Sequence, residues 1–153
     1  MAIHWQIKFK SLRIGTDYCV NIYDANYSGN PIQLKGGAEP FTTEEDGSDD
    51  MFIPIRKQSG HIRIIDDGKD ASGNSLGANW WKGLVPQTDK DRPVTLTDDS
   101  NNIVWQGFMQ AQNFSGELYE AVQEREFPIQ CCLSVLSSIQ TPTTIQEPKN
   151  FAY

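Results

Sequence analysis

The sequence predicts an all-β domain, an antiparallel sandwich or partly open barrel of about eight to ten short strands. Three observations carry this. Apolar residues recur with period two in several short runs, turn-forming clusters separate those runs, and no stretch of helix length shows a 3.6-residue pattern. The clearest unit is Pro93 to Phe108. Val94 and Leu96 alternate with Thr95 and Thr97, and Ile103, Val104, Trp105 and Phe108 form a second β-branched and aromatic run. Between them Asp98-Asp99-Ser100-Asn101-Asn102 is turn chemistry, because Asp and Asn hydrogen-bond their own backbone and tolerate the left-handed region. The stretch is therefore a hairpin. Pro93 suits the first residue of a strand, and Gly107 inside the second marks a bulge or a close backbone approach.

Along the chain, Trp5, Ile7 and Phe9 share one face of a first strand, with Gln6, Lys8 and Lys10 on the other. Leu12 and Ile14 fall out of phase, so a turn or bulge begins near Ser11. Tyr18, Val20 and Ile22 then resume the alternation and complete an N-terminal hairpin. The run Asp24 to Pro31 is dense in turn formers and redirects the chain. Ile32 and Leu34 make a short strand that Gly36-Gly37 ends, and an acidic loop follows to Asp50. Met51 to Arg56 is an edge or bulged strand, demoted by Pro54. His61 to Ile65 is another strand, and Asp66 to Asn79 a long exposed loop with Gly68, Gly73 and Gly77. Trp80-Trp81 brings the chain back to the body.

Glu126 to Leu136 reads as the last strand, with Phe127, Ile129, Cys131 and Leu133 on one face. Residues 1–138 form the β domain, and 139–153 are a Thr-, Pro- and Gln-rich linker or tail. The expected core is Trp5, Ile7, Phe9, Val20, Ile22, Ile62, Ile64, Leu96, Trp105, Phe127 and Ile129. A chain of 153 residues is long enough to bury such a core.

The net charge of −7 argues against a nucleic-acid partner, which needs a basic footprint. No run is long and apolar enough to span a membrane, so no membrane partner is expected. The N-terminus alternates polar and apolar residues, as a strand and not a signal peptide does. Asn26-Tyr27-Ser28 and Asn113-Phe114-Ser115 match the glycosylation pattern, but without a secretory signal they are read as accidental. Cys19, Cys131 and Cys132 lack zinc spacing and are read as reduced thiols, one of the adjacent pair buried.

No catalytic residue is expected. His4 and His61 lie far apart within strand patterns, and no Gly-x-Ser-x-Gly elbow is present. No cofactor is expected either. Glu44, Glu45, Asp46, Asp49 and Asp50 offer five carboxylates in one stretch, yet they lack the ligand order of an EF-hand, so no tight calcium site is predicted. Trp80 and Trp81 offer a stacking platform for sugar rings. The competing reading is that one Trp seals the end of the core and the other lies on the loop.

Three segments resemble a known family when taken together. They are GGAEPFTTEEDGSDDMFIPIRKQSGHIRIID, VTLTDDSNNIVWQGFMQAQNFS and EREFPIQCCLSVLSS. They are similar to the N-terminal β domain of tail proteins from phages and prophages of Bacteroides-type bacteria, of the baseplate hub or distal tail kind. The matching positions are Pro40-Phe41, Pro54-Ile55-Arg56, Gly60-His61-Ile62, Trp105-Gln106-Gly107-Phe108 and Leu133 to Leu136. The resemblance spans Ile3 to Ser138. His61 departs from it, standing where an aromatic residue is more usual.

The resemblance implies a structural, non-enzymatic subunit, made in the bacterial cytoplasm and located in a virion or tail particle. It would assemble as a homo-oligomeric ring with other tail or baseplate proteins. A head-to-tail ring needs two different complementary patches on each subunit. The acidic stretch Glu44 to Asp50 is one candidate, and Arg56, Lys57, Arg63 and Arg125 supply the other sign. Sheet edges near Pro54 and Gly107 are candidates for strand addition. The alternative function is a carbohydrate-binding β-sandwich using the Trp80/Trp81 platform.

Overall fold

A computed structural model describes residues 1–45, 57–88, 90–111 and 122–133. Among these, the strands are β1 (Ala2–Lys10), β2 (Asp17–Asp24), β3 (Ile32–Leu34), β4 (Gly36–Glu45), β5 (Gln58–Asp66), β6 (Pro93–Thr97), β7 (Ile103–Met109) and β8 (Gln123–Cys131). A single 3₁₀ turn, Trp80–Gly83, interrupts the long connection between β5 and β6. The fold is all-β.

All eight strands join one sheet in the order β3-β1-β2-β6-β7-β8-β5-β4. Its two end strands, β3 and β4, are separated in sequence by Lys35 alone. A sheet whose opposite ends are consecutive in the chain must curl until those ends adjoin. The ladder passes from one to the other within a few residues: Leu34 pairs with Ile7 of β1, and Gly36 with Ile64 of β5. The Ile65 N–H donates to the Lys35 carbonyl between them (2.9 Å). The result is a partly open barrel. It differs from the expected antiparallel sheet in one place, because β1 and β3 run parallel.

Curling sends alternate side chains inward. Trp5, Ile7, Val20, Ile22, Leu34, Ile62, Ile64, Val94, Leu96, Trp105, Met109, Phe127, Ile129 and Cys131 fill the interior, with Leu84 entering from the β5–β6 connection. Each fully buried aliphatic or aromatic side chain contributes about 1.5–3 kcal/mol relative to exposure. Of the expected core, only Phe9 is half-buried; it packs against the cluster beside Tyr18. Two interior positions are glycines because backbone passes too close for a side chain. A Cβ on Gly60 would lie 2.0 Å from the Thr42 carbonyl oxygen, and one on Gly107 would lie 2.1 Å from the Gln130 carbonyl oxygen. The vacant place over Gly107 is filled by the Trp105 ring.

Three expectations are corrected. Gly36-Gly37 opens β4 instead of ending a strand, so Glu44 and Glu45 lie in β4 rather than in a loop. The alternation there is hidden by a wide bulge, in which Gly37 to Pro40 oppose Arg63 alone. Gly107 is no sheet edge, since β7 pairs with β6 on one side and β8 on the other. The last strand ends at Cys131, and Leu133 is 41% exposed instead of sharing the core face. Met51 to Arg56, Leu136 and the segment 139–153 lie outside the described residues.

Candidate functional site: a plugged end and an open rim

The two ends of the barrel differ in chemistry. At one end β2 and β5 each finish on an aspartate that keeps the inward phase of the residues before it, Asp24 after Ile22 and Asp66 after Ile64. A carboxylate facing an apolar interior needs partners, because desolvating an unpaired charge costs several kcal/mol. Both have them.

Asp66 pairs through Oδ2 with Arg125 Nε, which enters from the inward phase of β8; the side chains are 11% and 8% exposed. Asp66 Oδ1 accepts from the Trp80 indole Nε1 (2.8 Å) and from the Gly68 N–H (3.2 Å). The Arg125 guanidinium lies 4.4 Å from the centre of the Trp81 ring, a cation–π stack. The two tryptophans are thus half-buried, and Leu84 behind them is fully buried.

Asp24 anchors the opposite side of the same plug. Its Oδ1 meets Arg92 Nη1 at 3.2 Å, and Arg92 Nε and Nη2 donate to the Gly83 carbonyl at the end of the 3₁₀ turn (both 3.2 Å). Arg92 also sits 5.7 Å from the centre of the Trp5 ring. Asp24 Oδ2 faces His4 Nδ1 at 3.2 Å, and the His4 ring is stacked on Trp5 and on Tyr27. Burial pushes the Asp24 carboxyl up, but the Asn26 N–H, His4 and Arg92 outweigh it and hold the group below its usual value. Burial is also the main influence on His4 and lowers its pKa below 6.5 against the pull of Asp24. Two Asp–Arg pairs therefore clamp the Trp80–Leu84 segment across the mouth of the barrel.

The connection that carries this plug is itself ordered. Lys35 holds Asp67 (2.5 Å), the Ala71 N–H donates to the Gln33 carbonyl (2.8 Å), and Asp70 receives the backbone N–H groups of Ser72 and Asn74. The outer face of β3, β1, β2 and β6 carries a chain of uncharged hydrogen bonds. Gln33 donates to Gln6, Gln6 to Asn21 (2.8 Å), and Asn21 to Thr97 (3.4 Å).

The other end is formed by the β1–β2 turn, the β6–β7 turn and the ends of β4, β5 and β8. Here Leu12 (103% exposed), Ile14 (65%), Ile103 (60%), Val104 (56%) and Leu133 (41%) stand in solvent, with Phe9, Tyr18 and Phe41 half-buried at the same end. Phe41 meets the buried Trp105 edge to face, with ring centres 5.3 Å apart, and the Trp105 indole donates to Gln58 Oε1 (3.1 Å). A groove of about 480 Å³ beside this rim has Lys8 and Lys10 on β1, Asp17, Tyr18 and Cys19 on β2, and Asp98 and Asp99 in the β6–β7 turn. Burial raises the Cys19 pKa above 9.0 despite Lys8 nearby, so the thiol stays protonated at neutral pH.

The residues singled out in the sequence are dispersed over this frame. Glu44 and Glu45 are exposed near the end of β4, at the open rim. Arg63 lies on the outer face of the barrel, held by Glu126 (2.8 Å) and Glu39 (3.1 Å), and the two glutamates raise its pKa. His61 faces the same Glu126 at 3.3 Å. Arg125 is inside the barrel and adds no charge to any outer patch. Trp80 and Trp81 belong to the plug. Asp46, Asp49, Asp50 and Arg56 lie outside the described residues, as does Asn113.

The Asp66–Arg125 and Asp24–Arg92 clamps were absent from the sequence reading. Their signal was present: Asp24, Asp66 and Arg125 each occupy the apolar phase of a strand, where a charge requires an inward partner. Among the described residues no group of three or more His, Cys, Asp or Glu side chains is placed to hold a metal ion, and no helix is long and apolar enough to cross a membrane. The described residues form a partly open, eight-stranded β-barrel plugged at one end. Compared with protein-family models, curated proteins and solved structures, the chain matches none.

Proposed function

We propose that this chain is a structural subunit of a phage-like tail or baseplate and works through protein contacts. The observation that carries the reading is five exposed apolar side chains at the open rim, Leu12, Ile14, Ile103, Val104 and Leu133, against two, Met1 and Val122, at the plugged end. Single exposed apolar residues are ordinary, but several gathered at one end of a small barrel favour a surface that another protein covers. The inward charges offer little for chemistry on a substrate, because each is spent on holding the plug. The family resemblance supplies the tail assignment, and the rim supplies a place for the contact it implies.

The sugar-platform alternative has weaker support. A platform needs a free ring face, and Arg125 already lies against Trp81 while Trp80 is tied to Asp66 by its indole N–H. The test is proteomics of tail particles purified from a producing strain, with gold-labelled antibody to locate the chain. Its presence at stoichiometric level at the baseplate is expected. Particles complete without it contradict the proposal.

A further inference from the structure

Among the described residues the partly open barrel leaves two strand edges on either side of one opening, where β1 and β4 come into contact, and they carry opposite charge. β1 has β3 as a neighbour only from Trp5 to Ile7, so Lys8 to Lys10 are paired with β2 alone. Lys8, Lys10 and Arg13 in the following turn are exposed and make no ion pair among the described residues. At the other end of the sheet, β4 pairs with β5 on one side only, through Thr42, Thr43, Glu44 and Glu45. Thr43 and Glu44 are exposed there, and Glu44 makes no ion pair among the described residues. Elsewhere on the outer sheet opposite charges neutralise one another within the chain, as Arg63 does with Glu126 and Glu39, and Lys35 with Asp67.

Unpaired N–H and C=O groups along a strand edge are a template for another strand. Opposite charges on two such edges give each a preference for the other and disfavour like edges meeting. The two edges flank one opening of the barrel, so two copies can pair them reciprocally about a two-fold axis or singly, head to tail. Leu12 and Ile14 stand exposed in the turn directly after the basic edge and provide apolar surface for the contact. Building on the assembly reading above, we propose that the acidic β4 edge of one copy pairs with the basic β1 edge of a second copy of this chain.

The experiment is sedimentation velocity on the chain and three variants, up to about 1 mM and from low to high salt, the range over which screening shortens from about 30 Å to 3 Å. Circular dichroism and melting of each variant check that it folds. The unaltered chain should self-associate at low salt and dissociate as salt rises. Lys8→Glu/Lys10→Glu and Thr43→Lys/Glu44→Lys should each weaken association at least about tenfold, since each places like charges across the contact. Combining the two sets in one chain swaps the signs and should restore association to within about threefold of the original.

Association indifferent to either reversal, or a combined variant that fails to recover, overturns the contact. So does an unaltered chain that stays monomeric at the highest concentration in low salt. If a reversal unfolds the chain, the salt series on the unaltered protein decides: association that is unchanged or strengthened by salt overturns the proposal. Particle incorporation, followed separately, keeps the two readings apart. A monomeric chain found in particles rejects this contact and leaves the tail assignment standing, and a self-associating chain missing from particles does the reverse.

Discussion

The two ends of this barrel solve opposite problems. The plugged end turns charge inward and satisfies it: Asp66 with Arg125 and Trp80, Asp24 with Arg92 and His4. The open rim turns apolar side chains outward, and among the described residues they stand exposed with charged strand edges beside them. Buried charge reports on how the barrel is closed, and exposed apolar surface reports on what the barrel meets.

That contrast can be broken by substitutions. The largest effect is expected at the plug, where Asp66→Ala breaks the buried pair with Arg125 and removes the acceptor of the Trp80 indole, and should destabilise the fold by about 3–5 kcal/mol. Chemical denaturation measures it. A loss under about 1 kcal/mol would mean that the plug is not a clamp. Gly107→Ala should cost about 1–3 kcal/mol or more, because the added carbon collides with the Gln130 backbone and with the Trp105 ring.

A smaller effect concerns pH. The folded-state pKa of His4 lies below its unfolded value of 6.5, so the unfolded chain binds the proton first. The contribution of neutral His4 is complete above pH 6.5 and is lost as pH falls through the window beneath that value. Asp24, also lowered, adds a second loss only below its unfolded value of 3.8. His4→Gln should flatten the upper part of the melting profile and reduce the acid part without abolishing it, since the Asn26 N–H and Arg92 still hold Asp24 down. An unchanged slope between pH 6.5 and 5 would remove His4 from the account. The smallest effect is expected at the rim, where Leu12→Ser and Ile103→Ser should each change stability by no more than about 0.5 kcal/mol.

How far this was legible in the sequence follows the same division. The hairpin from Pro93 to Phe108, the β1–β2 pair and most of the core are legible, since period-two alternation survives wherever a strand has one face inside. β4 is not, because the Gly37–Pro40 bulge breaks its phase and its acidic end resembles a loop. The parallel β1–β3 pair was also hidden, for a three-residue strand announces neither partner nor direction. Arg125 was read as surface charge when its phase placed it inside. The rim is legible only in part: Leu12 and Ile14 are out of phase in the sequence, but only the curled sheet brings Ile103 and Leu133 to the same end.

The most direct test of the contrast between the ends is a single variant, Leu12→Glu/Ile103→Glu, measured twice. Its melting temperature should stay within about 4 °C of the unaltered chain, as for a substitution outside the core. Its incorporation into tail particles, read by quantitative mass spectrometry, should fall at least about tenfold, because charge is placed in an apolar contact. A variant that folds normally and enters particles at the usual level would contradict the claim that the open rim is the contact surface.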